Sequence, residues 1–374
     1  MAAWAVVAML LFTFGAHGDL TIASHFGLYG WHAHEMLFGF VGAAVAGFLL
    51  TAVPNWTGRP PLSGLPLLGL LVLWAAGRAA MLWSERIGAL TAAAIDIGFW
   101  VALTGVVLVN IAAARNRRNI PVVFAVIAVV VAVTGSHLVA IEVIANRWPL
   151  KLGLATIVLL IGLIGGRIVP TFTRNWLVQR QADKLPAPFG DFDRVVLLVS
   201  AAVLAAWIAG IESIVLAAAA LAAGIMHLVR LARWRPLATL AEPLVWVMHL
   251  GMAWIAVGFG LLGIATLTHA VPESAAVHAW TAGAMGTMIL AVSTRATLGH
   301  TGRALIAGSG TAVIYGLVSL AALTRVAAPI VPGHFIALIA GAGTAWIAAF
   351  ALFLLLYGPA LVRPRADRPP TGAA

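Results

Sequence analysis

An all-α fold, a polytopic membrane helical bundle of about twelve transmembrane helices, is predicted by three properties of this sequence. Hydrophobic residues make up 62% of the chain and charged ones only 9%, too little polar surface to cover a soluble globule. Apolar runs of about 20 residues, the length a helix needs to cross ~30 Å of hydrocarbon, follow one another from end to end. Most of the 22 lysines and arginines fall in alternate loops between those runs, as they do in multi-span proteins.

The runs cover residues 1–16, 34–53, 62–83, 88–113, 120–141, 152–169, 194–211, 213–231, 243–268, 276–297, 304–326 and 333–361. The first, MAAWAVVAMLLFTFG, has no basic n-region and no small-residue cleavage pattern, so it reads as a span rather than a leader. The second opens on WHAHEM and carries no charge from Met36 to Val53. On a regular helix Gly39, Ala43 and Gly47 form a small-residue groove on the side away from His34, suited to a neighbouring helix. Pro170, after GGRIV, is expected to end the sixth span. The connector 171–193 is the longest and most polar, and it divides a single membrane domain, 1–362, into two six-span halves, about 1–170 and 194–362. Residues 363–374, RPRADRPPTGAA, have the composition of a short disordered tail.

Charge and cysteine content narrow the chemistry. Arg59, Arg115, Arg117, Arg118, the cluster from Arg167 to Arg194, Arg230, Arg233, Arg235, Arg295, Arg303 and the tail arginines share one side. Only Arg78, Arg86, Arg147, Lys151 and Arg325 fall on the other, which places both termini in the cytoplasm. The net charge of +10 is therefore a topology signal, and no nucleic acid partner is expected. With no cysteine, disulfides, thiolate metal sites, covalent haem attachment and iron–sulfur clusters are excluded, leaving histidine, methionine and carboxylates as ligands. No P-loop, GxSxG or HExxH motif occurs, so ATP-driven transport and hydrolysis lose support. Several of the 14 tryptophans lie near span ends, as interfacial belts do.

The histidines supply the site candidates. His34 and His278 both open spans that run inward from the outer face, so parallel helices carry them at matching depth. Two imidazoles on separate helices can hold a b-type haem without a covalent tether, and these two are the expected axial pair. His32 lies about 200° from His34 on a regular helix and is expected to serve a different partner. His137 reaches the same layer; it either replaces one of the axial ligands or binds a second metal with His32. His227 and His249 sit at similar depth on consecutive antiparallel helices and form either a metal pair or helix-to-helix hydrogen bonds. His17, His25 and His269 fall in loops or at span ends, where a structural role is the simpler reading. Arg167 is a candidate for a haem propionate or for lipid phosphate. Asp96, the deepest acid, either pairs with Arg78 one span earlier or serves a proton or ion.

Four stretches carry a family resemblance: WHAHEMLFGFVGAAVAGFLLTAVPNWTG, GGRIVPTFTRNW, EPLVWVMHLGMAW and HAWTAGAMGTMILAVSTRATLGHTGR. Together they resemble the NnrS family of bacterial haem- and copper-containing membrane proteins over nearly the whole chain. The resemblance implies a twelve-span protein in the lipid bilayer of the inner membrane, linked to denitrification and to tolerance of nitric oxide, with bound haem and copper. It points to protection from nitrosative stress by binding or turning over nitric oxide or by shielding iron. The alternatives are a transporter of a metal complex or small solute, suggested by the 6+6 arrangement and Asp96, and a haem-based sensor. Turnover is the weaker form of the leading reading, because no three-histidine copper set on consecutive inner helices is recognisable.

The topology has a direct check in this cysteine-free chain. Gly18→Cys should react with an impermeant thiol reagent from outside the cell and Ala187→Cys only from inside; labelling of both from one side overturns the two-sided arrangement.

Overall fold

The computed structural model describes residues 1–268 and 270–367; His269 and the tail from Arg368 lie outside the described residues. All twelve apolar runs are helices: α1 (Ala2–His17), α2 (Gly27–Thr57), α3 (Leu65–Leu82), α4 (Ala89–Ala113), α5 (Ile120–Ala140), α6 (Trp148–Gln179), α7 (Asp191–Ile208), α8 (Ile214–Ala232), α9 (Pro243–Thr268), α10 (Glu273–His300), α11 (Ser309–Ala327) and α12 (Phe335–Val362). Ten of these are long and apolar enough to cross a membrane. The other two are α1, at 16 residues, and α7, whose first turn carries Asp191, Asp193 and Arg194. The protein is thus an all-helical polytopic membrane bundle.

Two helices are interrupted by π-helical turns. In α2 the segment Glu35–Val41 is π-helical and follows His34 directly; in α10 the segment Ala279–Met285 does the same after His278. The wider π turn shifts the phase of everything beyond it, so the face assignments of a regular helix do not carry through.

Pro170 does not end the sixth helix. α6 continues through it to Gln179, so the connector expected at 171–193 shortens to residues 180–190. The proline removes the bond to the carbonyl of Gly166 and crowds it, but glycine at that position adds no side chain to the crowding. Thr171 and Thr173 donate their hydroxyls to the carbonyls of Arg167 and Val169, at 2.7 and 2.9 Å, which supplements the backbone bonding around the break.

The chain forms two compact units, residues 3–160 and residues 161 onward. In the first, α3 and α5 pack against α4, and the half of α2 beyond its π turn joins them. A core of Ala8, Trp31 and Met81, surrounded by Trp4, Phe12, Phe26 and Leu82, seals the end that carries the WHAHEM stretch. In the second unit α9 is the central helix. Its residues Leu244, Val247, Met248, Ile255 and Phe259 are fully buried along one face, while Val257, Ile264 and Leu267 on the other side are exposed. α8 lies along it, α10 packs on it around the π turn, and α11 pairs with α12.

One buried ion pair organises the start of the second unit. Arg230 of α8 donates Nε to Asp193 Oδ1 at 2.6 Å and Nη1 to the Gly162 carbonyl at 2.9 Å, while Phe189 and Trp234 flank the guanidinium. Asp193 stands in the first turn of α7, where the helix dipole favours an anion, and its other oxygen accepts the Gly190 N–H at 2.9 Å. Gly166 is the residue that lets α6 come this close, because a Cβ there would run into Arg230 Nη2. Removing the carboxylate strands a buried guanidinium. Asp193→Asn should therefore destabilise the fold by about 3 kcal/mol, seen as a lower thermal midpoint in detergent, whereas Asp191→Asn, on an exposed pair, should leave it unchanged.

Candidate metal centre

Five helices of the first unit each contribute a polar side chain to one buried cluster. Its frame is an arginine between two carboxylates. Arg78 of α3 donates Nη1 to Glu35 Oε1 at 2.6 Å and Nη2 to Asp96 Oδ1. Glu35, first residue of the π turn in α2, also accepts Trp4 Nε1 of α1 through Oε2 at 2.7 Å. Of the two readings of Asp96, the pairing with Arg78 is present, and Glu35 doubles it. A lone charge at this depth would be costly; here each charged group faces an opposite one.

Beyond the frame, Asp96 turns its second oxygen to two imidazoles. His137 Nε2 of α5 donates to Oδ2 at 3.0 Å, and His34 Nε2 of α2 stands 3.3 Å from the same atom. The rings of His34 and His137 are 5.3 Å apart, and His34 is further enclosed by Phe26 at 4.8 Å and Phe38 at 5.0 Å. His34 is buried, yet neither of its ring nitrogens makes a hydrogen bond. Leaving such a group unsatisfied costs of the order of 1–3 kcal/mol, and a metal ion held at this ring would remove that cost. Donor atoms of His34, Asp96 and His137 all lie within 4.8 Å of one another, the one such group of three among the described residues. Two imidazoles and one carboxylate are donors that suit a transition metal such as copper, zinc or iron.

The backbone of α2 is shaped to admit the frame. Gly39 faces Arg78 and Glu35, where a Cβ would come to 2.5 Å from Nη1 and 2.7 Å from Oε2. Its carbonyl, within the π turn, accepts Trp74 Nε1 at 3.0 Å. The groove of small residues foreseen for helix docking is thus, at Gly39, space for an ion pair. At Gly47 nothing lies within 4 Å of the same position.

The remaining candidates lie elsewhere. His32 stacks on Phe12 at 3.9 Å and is not a member of the three-residue group; His137 joins His34 and Asp96 instead. In the second unit, His278 places Nδ1 2.6 Å from the Ser274 carbonyl, which fixes the tautomer and leaves the ring lone pair on Nε2. His227 and His249 turn their Nε2 atoms to different helices, to Ser200 at 3.0 Å and Thr173 at 2.8 Å. Each hydroxyl already donates to a carbonyl of its own helix and so accepts from the imidazole, which is the helix-to-helix bonding alternative. Arg167 stands 5.6 Å over the Phe189 ring. Asp96 is the member of this group that the sequence did not single out as a metal-ligand candidate. By sequence it lay deeper than His137, and a partner in Arg78 was one of its two readings.

The family model described as NnrS protein matches residues 1–365. No curated protein matches the chain.

The frame gives a contrast between two glycines of one helix. Gly39→Ala should lower the thermal midpoint in detergent by several degrees, since the methyl group displaces the Arg78–Glu35 pair, whereas Gly47→Ala should leave it unchanged or slightly raised.

Proposed function

The chain belongs to the NnrS family, and we propose that it serves the nitric oxide response as a membrane metalloprotein, with copper held by His34, Asp96 and His137. The observation that carries this reading is the buried His34 ring, without a hydrogen bond at either nitrogen, set against a carboxylate and a second imidazole. For haem, the donor that fits is His278, whose Nε2 carries the lone pair once Nδ1 is tied to the Ser274 carbonyl. Copper held by His34, Asp96 and His137, and haem held at His278, would supply the chemistry that binds a diatomic gas.

The protein's own groups set the conditions around the copper site. Glu35 and Arg78 fix Asp96 from behind, so the carboxylate presents one oxygen to the two histidines. Phe26 and Phe38 crowd His34 and keep bulk water away from it, while an uncharged gas crosses the surrounding apolar side chains readily. We assign the protein to the bacterial inner membrane with both termini cytoplasmic, on the alternation of basic loops. The bound gas is handled by capture, by turnover, or by protection of iron elsewhere. A solute-transport role drew on Asp96 as an intramembrane acid, and that carboxylate is engaged by Arg78 and both histidines.

Copper content of purified protein and growth under nitric oxide test the reading together. His34→Ala, His137→Ala and Asp96→Asn should each reduce copper to background and sensitise cells to nitric oxide without affecting growth in its absence; His278→Ala should lose haem absorption. His300→Ala should retain both metals. Full copper occupancy in all three cluster variants overturns the assignment.

A further inference from the structure

We infer that Arg78 determines the charge of the ion this site accepts: the cluster is matched to a monovalent soft cation, copper(I), and disfavours divalent ions such as zinc. The inference rests on the metal reading above and adds to it a residue that touches no metal.

The argument is a charge count in a closed space. Glu35 and Asp96 are fully buried, and His34, Arg78 and His137 are 1%, 2% and 5% exposed. Among the described residues, the ion pairs of these five run only to one another. Two carboxylates contribute two negative charges, the guanidinium one positive charge that no accessible pH removes, and ligating imidazoles are neutral. The sum is one negative charge. A monovalent ion brings the cluster to neutrality. A divalent ion leaves a net positive charge inside apolar helices with no anion to meet it, which is the costly condition for a buried charge.

Donor chemistry then selects among monovalent ions. Alkali ions want several oxygens, and this site offers two imidazole nitrogens and one carboxylate oxygen. Among the metals that imidazole suits, copper is the one with an accessible monovalent state. Arg78 is held in place to exert this effect, bridging Glu35 and Asp96 in the space that Gly39 leaves open.

Binding to purified full-length protein in detergent is the test, with copper(I) under a competing chelator, silver(I) as a redox-inert stand-in, and zinc(II). Wild type should bind one copper(I) or silver(I) and take zinc(II) at least about 100-fold more weakly, the scale expected of one unit charge several ångströms away at an effective dielectric of about 20. Arg78→Met should shift the copper-to-zinc ratio toward zinc by about the same factor, and Arg78→Lys should restore the wild-type preference. Should Arg78→Met fail to fold, Glu35→Gln gives the opposite charge step and should weaken copper(I) and silver(I) binding. A folded Arg78→Met protein with the wild-type ratio, or a Glu35→Gln protein with wild-type silver affinity, overturns the inference. Equal wild-type affinity for copper(I) and zinc(II), abolished for both by His34→Ala, overturns it while leaving the metal site standing. Wild-type protein that binds none of the three ions brings down the metal reading and this inference with it.

Discussion

Everything in the first unit depends on one arginine that must not be left alone. Arg78 sits deep in an apolar helix, and its guanidinium is shared between Glu35 on α2 and Asp96 on α4. Each partner recruits another helix: Glu35 takes the Trp4 indole of α1, and Asp96 takes His137 of α5. In hydrocarbon, apolar side chains have little reason to prefer each other over lipid, so polar contacts of this kind carry much of the specificity of helix association. The same contacts that position the helices also deliver His34 and His137 to one carboxylate oxygen.

The second unit repeats the device with other residues. Arg230 is buried against Asp193 and the Gly162 carbonyl, as Arg78 is against its two acids, and Gly166 makes room for it as Gly39 does for Arg78. The difference lies in what is left over. At Asp193 the remaining carboxylate capacity goes to the Gly190 amide and to Arg233 at 3.9 Å, although Arg230 Nη2 is left without a hydrogen bond. At Asp96 it goes to two imidazoles, one of which has no hydrogen bond. That contrast sets the proposed metal site apart from the Arg230–Asp193 ion pair. The π turns mark the same distinction, since each directly follows a histidine that the sequence singles out, His34 in one unit and His278 in the other. Turns of this kind are inserted at a cost in helix regularity and are frequent at functional positions.

Composition and periodicity by themselves determined that this is an all-helical membrane protein, because a span must satisfy its own backbone and 20 apolar residues leave few alternatives. They also located the apolar helices, although α2 begins seven residues earlier and α6 ends ten residues later than the apolar runs, and they offered the pairing of Arg78 with Asp96 as one of two readings. Three things were decided only by the tertiary structure. The continuation of α6 past Pro170 depends on local glycine and threonine partners that a rule about proline does not weigh. The role of Gly39 depends on a π turn, which no periodicity announces because it is defined by the phase it breaks. The grouping of Asp96 with His34 and His137 depends on how α2, α4 and α5 are rotated about their axes. Hydropathy is nearly uniform around those helices and so fixes their depth in the bilayer, while their rotation is set by the few polar contacts they make with one another.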